Sequence, residues 1–352
     1  MNDPAILIPS YQPSDTILTL VRELQDRDFF RIYIVDDGSG PAFAPIFSAL
    51  EEMDCTVVRH GQNRGKGAAL KTGIAELRRD LPDLNAVITA DGDGQHTPED
   101  IRKVALALSQ SPNSLILGVR DFKGGEVPAK SRFGNRFSSA YFHLTTRVSC
   151  PDTQTGLRGI PRCLFSLALS TPGERYEYEM QFLTTVAREK RPIRFVPIKT
   201  VYLDGNSASH FRPVADSVQI YRTPLRYLSS SLLCAGVDVG MFTLLSQVFS
   251  NGVWSRVLVA TVAARILSGC VNFSLNRRWA FESRRGQGQA GKYAALFLFQ
   301  MLMSWLLVSC LSVLPIPLTA IKIPVDCALF LFSYVAQRNW VFRPETAKEK
   351  EI

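Results

Sequence analysis

The sequence predicts an α/β domain built on a mostly parallel sheet, followed by an all-α membrane domain of four helices. Three observations carry this. Short apolar runs alternate with helix-patterned stretches through residues 5–117. Three of those runs end in polar, glycine-containing motifs. From Leu225 to Val335 the chain turns into long apolar stretches with few charges, an asymmetry that the overall 46% hydrophobic content conceals.

The runs fall in order. Ala5–Pro9 is the first, followed by a helical pattern through Ile17, Leu18, Val21 and Leu24. Ile32–Val35 ends in Asp36-Asp37-Gly38-Ser39. Thr56–Val58 leads to Asn63-Arg64-Gly65-Lys66-Gly67 and a helix carrying Ala68, Leu70, Ile74 and Leu77. Ala86–Thr89 ends at Ala90-Asp91-Gly92-Asp93, and Ser114–Leu117 is the fifth run. Buried strands of this kind present ligands at their carboxyl ends. Motifs at three such ends therefore point to one site.

Asp91-Gly92-Asp93-Gly94-Gln95-His96 places two carboxylates two residues apart, with an amide and an imidazole behind them. A hard cation such as Mg²⁺ or Mn²⁺ prefers oxygen donors and takes substrate phosphates into its shell. A lone Asp-Gly-Asp is more often a turn; its place after a buried strand, beside two further motifs, favours the site. Lys66 stands in a glycine-flanked turn before a helix, where backbone N–H groups and an ammonium meet phosphate or simply begin a helix. Asp37 suits a base or ribose, or a β-turn. Glu177 and Glu179 open a predicted helix, where they serve sugar hydroxyls, orient the metal site or cap the helix.

Pro9-Ser10-Tyr11, Asp36–Ser39, Asn63–Gly67 and Asp91–His96 resemble, in order and spacing, the family 2 glycosyltransferases of GT-A fold. Asp152-Thr153-Gln154-Thr155-Gly156-Leu157-Arg158, Arg175-Tyr176-Glu177-Tyr178-Glu179 and Ser209-His210-Phe211 look like its polyprenyl-phosphate branch, which includes dolichyl-phosphate mannose and glucose synthases. The likeness spans about residues 4–216. It implies that Pro9, Tyr11, Asp37, Lys66, Asp91 and Arg212 hold the nucleotide sugar. It puts Asp93, Gln95 and Asp91 on the metal, and Arg120, Lys130 and Arg132, around the Gly124-Gly125 loop, on an acceptor phosphate. Asp91, Asp93, Arg120, Arg132 and Glu179 form the implied catalytic set, and the family is inverting.

Four apolar segments, Leu225–Phe249, Val253–Leu275, Tyr293–Leu314 and Ile316–Ala336, each approach the length that spans a bilayer. Arg277, Arg278, Arg284, Arg285 and Lys292 fall between the second and third, Arg222 and Arg226 at the start of the first, and Arg338 after the fourth. Such a bias predicts that both chain ends and this middle loop are cytoplasmic, and Met1-Asn2-Asp3-Pro4 does not read as a signal peptide. Asn276-Arg277-Arg278-Trp279-Ala280-Phe281 returns as Gln337-Arg338-Asn339-Trp340-Val341-Phe342, the mark of duplicated two-helix units. With Asn272-Phe273 upstream, this half resembles the GtrA-type membrane domain. Asp238, Arg265 and Asp326 lie inside apolar segments, where charges pair or line a polar path. Arg265 is expected to pair with Asp238 or Asp326, either to hold a lipid phosphate or to join helices.

The expected domains are 1–220, 221–343 and a cytoplasmic tail 344–352. The net charge of +8 includes no Lys/Arg-rich tract, which disfavours nucleic acid. The seven cysteines are scattered without a Cys-x-x-Cys pair and read as reduced thiols. The sequence thus predicts a multi-pass protein of the cytoplasmic membrane, with a nucleotide sugar and a polyprenyl phosphate as substrates and room for a homo-oligomer. UDP-glucose is the favoured donor, GDP-mannose the next. A processive polysaccharide synthase and a lipid-sugar translocase are the alternatives. The first lacks its Gln-x-x-Arg-Trp motif here; the second is opposed by the intact Asp91, Asp93, Gln95 and Lys66.

Overall fold

A computed structural model describes residues 4–122, 129–199, 222–248, 253–283, 288–311 and 318–342. The chain divides into two compact units, Met1–Ile220 and Tyr221–Ile352.

The first unit is built on seven strands: β1 (Ala5–Ser10), β2 (Ile32–Asp36), β3 (Thr56–Arg59), β4 (Ala86–Thr89), β5 (Leu115–Arg120), β6 (Arg158–Pro161) and β7 (Ile193–Ile198). Their order is β3-β2-β1-β4-β6-β5-β7, and every described pairing is parallel except those of β6. Strand β1 is buried on both faces. Leu7 joins one apolar layer with Val35, Leu70, Ile74 and Leu117, while Ile6 and Ile8 join the other with Ile17, Val21, Ile34 and Ile101. That double burial is why these strands read as unbroken apolar runs and not as alternating ones. Five strands stand where the apolar runs predict them. Strands β6 and β7 do not: Arg158-Gly159-Ile160-Pro161 has too few apolar residues to register, and β7 is only half-buried.

Helices α1 (Thr16–Gln25), α2 (Ala44–Glu52), α3 (Lys66–Asp80), α4 (Pro98–Gln110), α5 (Ala129–Thr146), α6 (Phe165–Ser170) and α7 (Glu177–Arg188) connect the strands. Two starts matter for the site. Helix α4 begins with Thr97 as N-cap, whose Oγ1 accepts from the Asp100 N–H at 3.3 Å, followed by Pro98. Helix α3 begins after Gly65, at φ +102°, a backbone region that favours glycine.

Among the described residues, the second unit holds four long helices: α8 (Arg222–Val248), α9 (Val253–Leu275), α10 (Gln289–Leu311) and α11 (Leu318–Ala336). One described segment, Arg222–Leu245, is long and apolar enough to cross a membrane. Large apolar side chains point outward, among them Leu232 at 66%, Ile266 at 63% and Leu298 at 64% exposure, the reverse of the first unit's packing. Inside lie polar groups. Asn276 donates from Nδ2 to Gln337 Oε1 at 2.9 Å and to Asn272 Oδ1 at 2.8 Å; Tyr293 donates to the same Asn272 oxygen, and Ser230 bonds Asn276. Both repeated hexapeptides begin in π-helical turns, Asn276–Ala280 and Gln337–Val341, closed by Phe281 N–H to Asn276 O and Phe342 N–H to Gln337 O. The sequence likeness of the two copies is thus a likeness of backbone.

Candidate active site

The carboxyl ends of β1, β2 and β4 lie side by side, because parallel pairing aligns Ser10 with Asp36 and Leu7 with Thr89. Strand β6 runs the other way and pairs Thr89 with Arg158. Its entry loop therefore arrives at the edge where β4 leaves. Thr89 Oγ1 donates to Gly156 O at 2.8 Å and pins that loop. A Cβ on Gly156 would collide with the Asp91 carboxylate, so only glycine lets the loop lie this close.

A chain of opposite charges runs from this edge into the core. Lys66 Nζ stands 2.7 Å from Asp91 Oδ1 and 3.1 Å from Glu179 Oε2. Glu179 Oε1 lies 4.0 Å from Arg158 Nε. Arg158, 2% exposed, donates through Nε to Thr155 O at 2.9 Å and through Nη1 to the Glu179 carbonyl at 2.7 Å. Glu179 Oε1 and Arg158 Nη2 are buried atoms without a hydrogen-bond partner among the described residues. An arginine so deep needs compensating charge, and Glu179 supplies it.

Burial works against the charge on Lys66, but the carboxylates of Asp91 and Glu179 outweigh it and hold its pKa above the ordinary range. Burial likewise raises Asp91; the Lys66 ammonium overcomes that and brings it down to about 2. Asp93 is raised, by burial first and then by the charge on Asp91, while its Oδ1 accepts from the Gln95 N–H at 3.0 Å. Burial lowers His96, whose Nδ1 accepts from the Asp91 N–H at 3.0 Å and so acts as a neutral ring nitrogen.

This donor set fits a hard divalent cation. Asp91 and Asp93 bring carboxylate oxygens close enough that the charge on Asp91 helps raise Asp93, and a divalent cation held by the pair would relieve that repulsion. Among the described residues no cluster of three or more His, Cys, Asp or Glu side chains holds an ion alone. Phosphate and water would complete the shell.

Asp37, 3% exposed, is held inside the wall. Its Oδ1 accepts from the Arg64 N–H at 2.9 Å and contacts His60 Nδ1 at 2.7 Å, and its Oδ2 accepts from the Gly65 N–H at 2.7 Å. It therefore fixes the turn that aims Lys66. Pro9 lies near the carboxyl end of β1, and the Gln12 N–H beyond Tyr11 donates to Ser39 Oγ at 2.8 Å, joining two motif ends. Arg120 ends β5 and forms a two-point pair with the buried Asp152, Nε to Oδ2 at 2.7 Å and Nη2 to Oδ1 at 3.2 Å. Arg132 is exposed on α5. Glu177 does not cap its helix: its Oε1 accepts from the Glu174 and Arg175 N–H groups at 3.0 and 3.2 Å and ties down the loop that precedes α7. Arg212, Ser209-His210-Phe211, Gly124-Gly125 and the Lys130 side chain lie outside the described residues. Asp152 and Arg158 stand inside a quoted motif without an assigned role, and His60 carries no sequence signal; only their partners reveal them. In the second unit, Arg265 Nε lies 3.5 Å from Asp238 Oδ2, whereas Asp326 Oδ1 accepts from Ser304 Oγ at 2.9 Å.

Residues 5–165 match the family described as glycosyl transferase family 2, and residues 226–342 match the GtrA/DPMS transmembrane domain. The UDP-N-acetylglucosamine–dolichyl-phosphate N-acetylglucosaminyltransferase of Methanococcus voltae is 30% identical over 223 residues, covering 58% of this chain and 87% of its own. The chain belongs to glycosyl transferase family 2. Two further proteins are similar to it. A dolichyl-phosphate beta-glucosyltransferase of Dictyostelium discoideum is 25% identical, covering 64% of this chain and 74% of its own. An undecaprenyl-phosphate 4-deoxy-4-formamido-L-arabinose transferase of Pseudomonas paraeruginosa is 27% identical, covering 71% and 76%. As a family 2 member the protein is a glycosyltransferase, and its GtrA/DPMS domain makes it a membrane protein.

Proposed function

We propose that this glycosyltransferase moves one sugar from a nucleotide sugar to a polyprenyl phosphate at the cytoplasmic face of the membrane. The observation that carries this is the cluster at the β4 end: Asp91 and Asp93 beside Lys66 and Glu179, in a chain that also carries the GtrA/DPMS domain. Relatives named for dolichyl phosphate and undecaprenyl phosphate support the acceptor class.

In this reading Pro9, Tyr11, Lys66, Asp91 and Arg212 bind the donor, with Asp37 holding their wall. Asp93, Gln95 and Asp91 would hold Mg²⁺ or Mn²⁺, which would supply neutralisation of the charge that builds on the diphosphate. Arg120, Lys130 and Arg132 take the acceptor phosphate. A phosphate monoester is already largely anionic at neutral pH, its second pKa being about 6. It needs orientation more than deprotonation. Its oxygen attacks the anomeric carbon in line as the bond to the nucleotide diphosphate breaks, inverting the centre. Glu179, fixed between Lys66 and Arg158, faces the sugar hydroxyls. UDP-linked donors come first, UDP-glucose ahead, with UDP-N-acetylglucosamine added by the Methanococcus relative and GDP-mannose next. The second unit crosses the bilayer four times, with both chain ends cytoplasmic.

Membranes incubated with each labelled donor, Mg²⁺ and polyprenyl phosphate should yield a short charged glycolipid. A polymer would instead indicate a processive synthase, and no incorporation with any donor would remove the reading. Asp93→Ala should abolish transfer while membrane insertion is unchanged; retained turnover removes the metal role from Asp93.

A further inference from the structure

His60 lies between the Asp36–Ser39 and Asn63–Gly67 motifs and belongs to neither. It follows β3, and its backbone N–H donates to Asp36 O at 2.8 Å, at the end of β2. Its side chain is 5% exposed. Nδ1 stands 2.7 Å from Asp37 Oδ1, and Nε2 stands 3.0 Å from Thr72 Oγ1 on α3. An imidazole buried this deeply needs partners at both nitrogens, and both have one.

The partners decide which way these bonds run. Both Asp37 oxygens accept backbone N–H groups, Oδ1 from Arg64 and Oδ2 from Gly65. The carboxylate is therefore an acceptor, and Nδ1 donates to it. Nε2 is left to Thr72, whose hydroxyl can donate or accept. A continuous path of contacts thus runs from the Gly65 N–H through Asp37 and His60 to Thr72. It leaves α3 at its start and returns to the same helix six residues beyond Lys66, ~9 Å along the axis at ~1.5 Å per residue. A helix held only at its first turn can pivot, whereas one held at two points keeps its direction. Lys66 leaves that first turn toward Asp91 at 2.7 Å and Glu179 at 3.1 Å.

We propose that His60 is a positioning residue for the nucleotide-sugar site. It holds the Asp37 carboxylate and anchors α3 through Thr72, and so sets where Lys66 meets the donor diphosphate. The inference rests on the reading of this edge as the donor site. His60 touches neither donor nor acceptor, so its loss falls on donor binding and not on the transfer step. A packing role would act differently: it would lower the active fraction, and with it kcat, at constant donor KM.

The test uses the full chain in liposomes with Mg²⁺ and polyprenyl phosphate. The donor is whichever of labelled UDP-glucose, UDP-N-acetylglucosamine and GDP-mannose the wild type turns over. His60→Leu removes both ring contacts. It should raise donor KM about tenfold, the scale of one hydrogen bond to a charged group, with kcat within about twofold and KM for polyprenyl phosphate unchanged. His60→Asn keeps an N–H near the place of Nδ1 and should recover most of the donor KM. His60→Gln reaches toward Thr72 instead and should recover little. Thr72→Val keeps the shape without the hydroxyl and should raise donor KM about threefold, as loss of a neutral hydrogen bond does. Should His60→Leu fail to fold, His60→Gln and Thr72→Val carry the test, and an unchanged donor KM in both overturns the proposal. A fall in kcat at constant donor KM overturns it too, as does rescue by His60→Gln but not by His60→Asn. A wild type that transfers from no donor removes the donor-site reading and this inference with it. A working wild type with an unchanged donor KM in His60→Leu removes this inference alone.

Discussion

Arg158 is almost wholly shielded from solvent, yet it stands behind Glu179 and the Lys66 ammonium of the candidate site. Removing it leaves Glu179 buried beside Lys66 with its carboxylate under-compensated. Arg158→Met should therefore cost roughly 3–5 kcal/mol of stability, as for other broken buried pairs. It should also lower kcat more than it raises KM for the donor. Arg158→Lys should recover part of kcat, and a thermal melt beside steady-state rates tests both. Gly156 makes a narrower point. Gly156→Ala drives a methyl into the Asp91 carboxylate, and overpacking of this kind costs about 1–3 kcal/mol. Transfer should fall sharply while the fold survives. Thiol chemistry gives a third check. Burial, with help from Asp54, pushes Cys55 up to about 11, and burial pushes Cys150 up to about 12. Both stay protonated at pH 8, where only thiolates react. Alkylation at that pH followed by mass spectrometry should label the exposed Cys163 and spare these two.

At the scale of elements, the site depends on how helices begin. Helix α3 starts with Lys66 because Gly65 takes a left-handed turn and Asp37 holds the Arg64 and Gly65 N–H groups. The first turn of α3 then lies against the loop that leads into α7, where the Ala68 N–H donates to Glu174 O at 2.8 Å. A Cβ on Gly65 would meet Glu174 O and the Arg175 side chain. Gly65→Ala combines backbone strain with that clash and should cost more than about 1 kcal/mol. Donor KM should rise, since Lys66 is re-aimed. These glycines and the Asp37 carboxylate are plain in the sequence as a motif. That Asp37 acts by holding a turn is not, because its donors are backbone N–H groups twenty-seven and twenty-eight residues on.

At the scale of the molecule, one chain joins a polar-edged sheet to an apolar helical unit with a polar interior. The positive-inside pattern predicts that a tag after Phe342 and the catalytic unit share one side of the membrane. In sealed inside-out vesicles both should be open to protease, whereas in right-side-out vesicles neither should be. Protection of one alone would overturn the four-span topology.

The sequence by itself determined the two-unit organisation, five of the seven strands, the three motif-bearing strand ends and the internal repeat. Each is a local signal: apolar runs, glycine-marked turns and repeated hexapeptides depend on neighbours in the chain. Tertiary structure alone decided which charges meet. Strand β6 reaches the site because it reverses direction, and so Arg158 stands behind Glu179 and Asp152 holds Arg120. Periodicity records which face of an element is buried, but pairing across long loops leaves no trace in spacing, since the energies that select it arise only once distant segments are packed together.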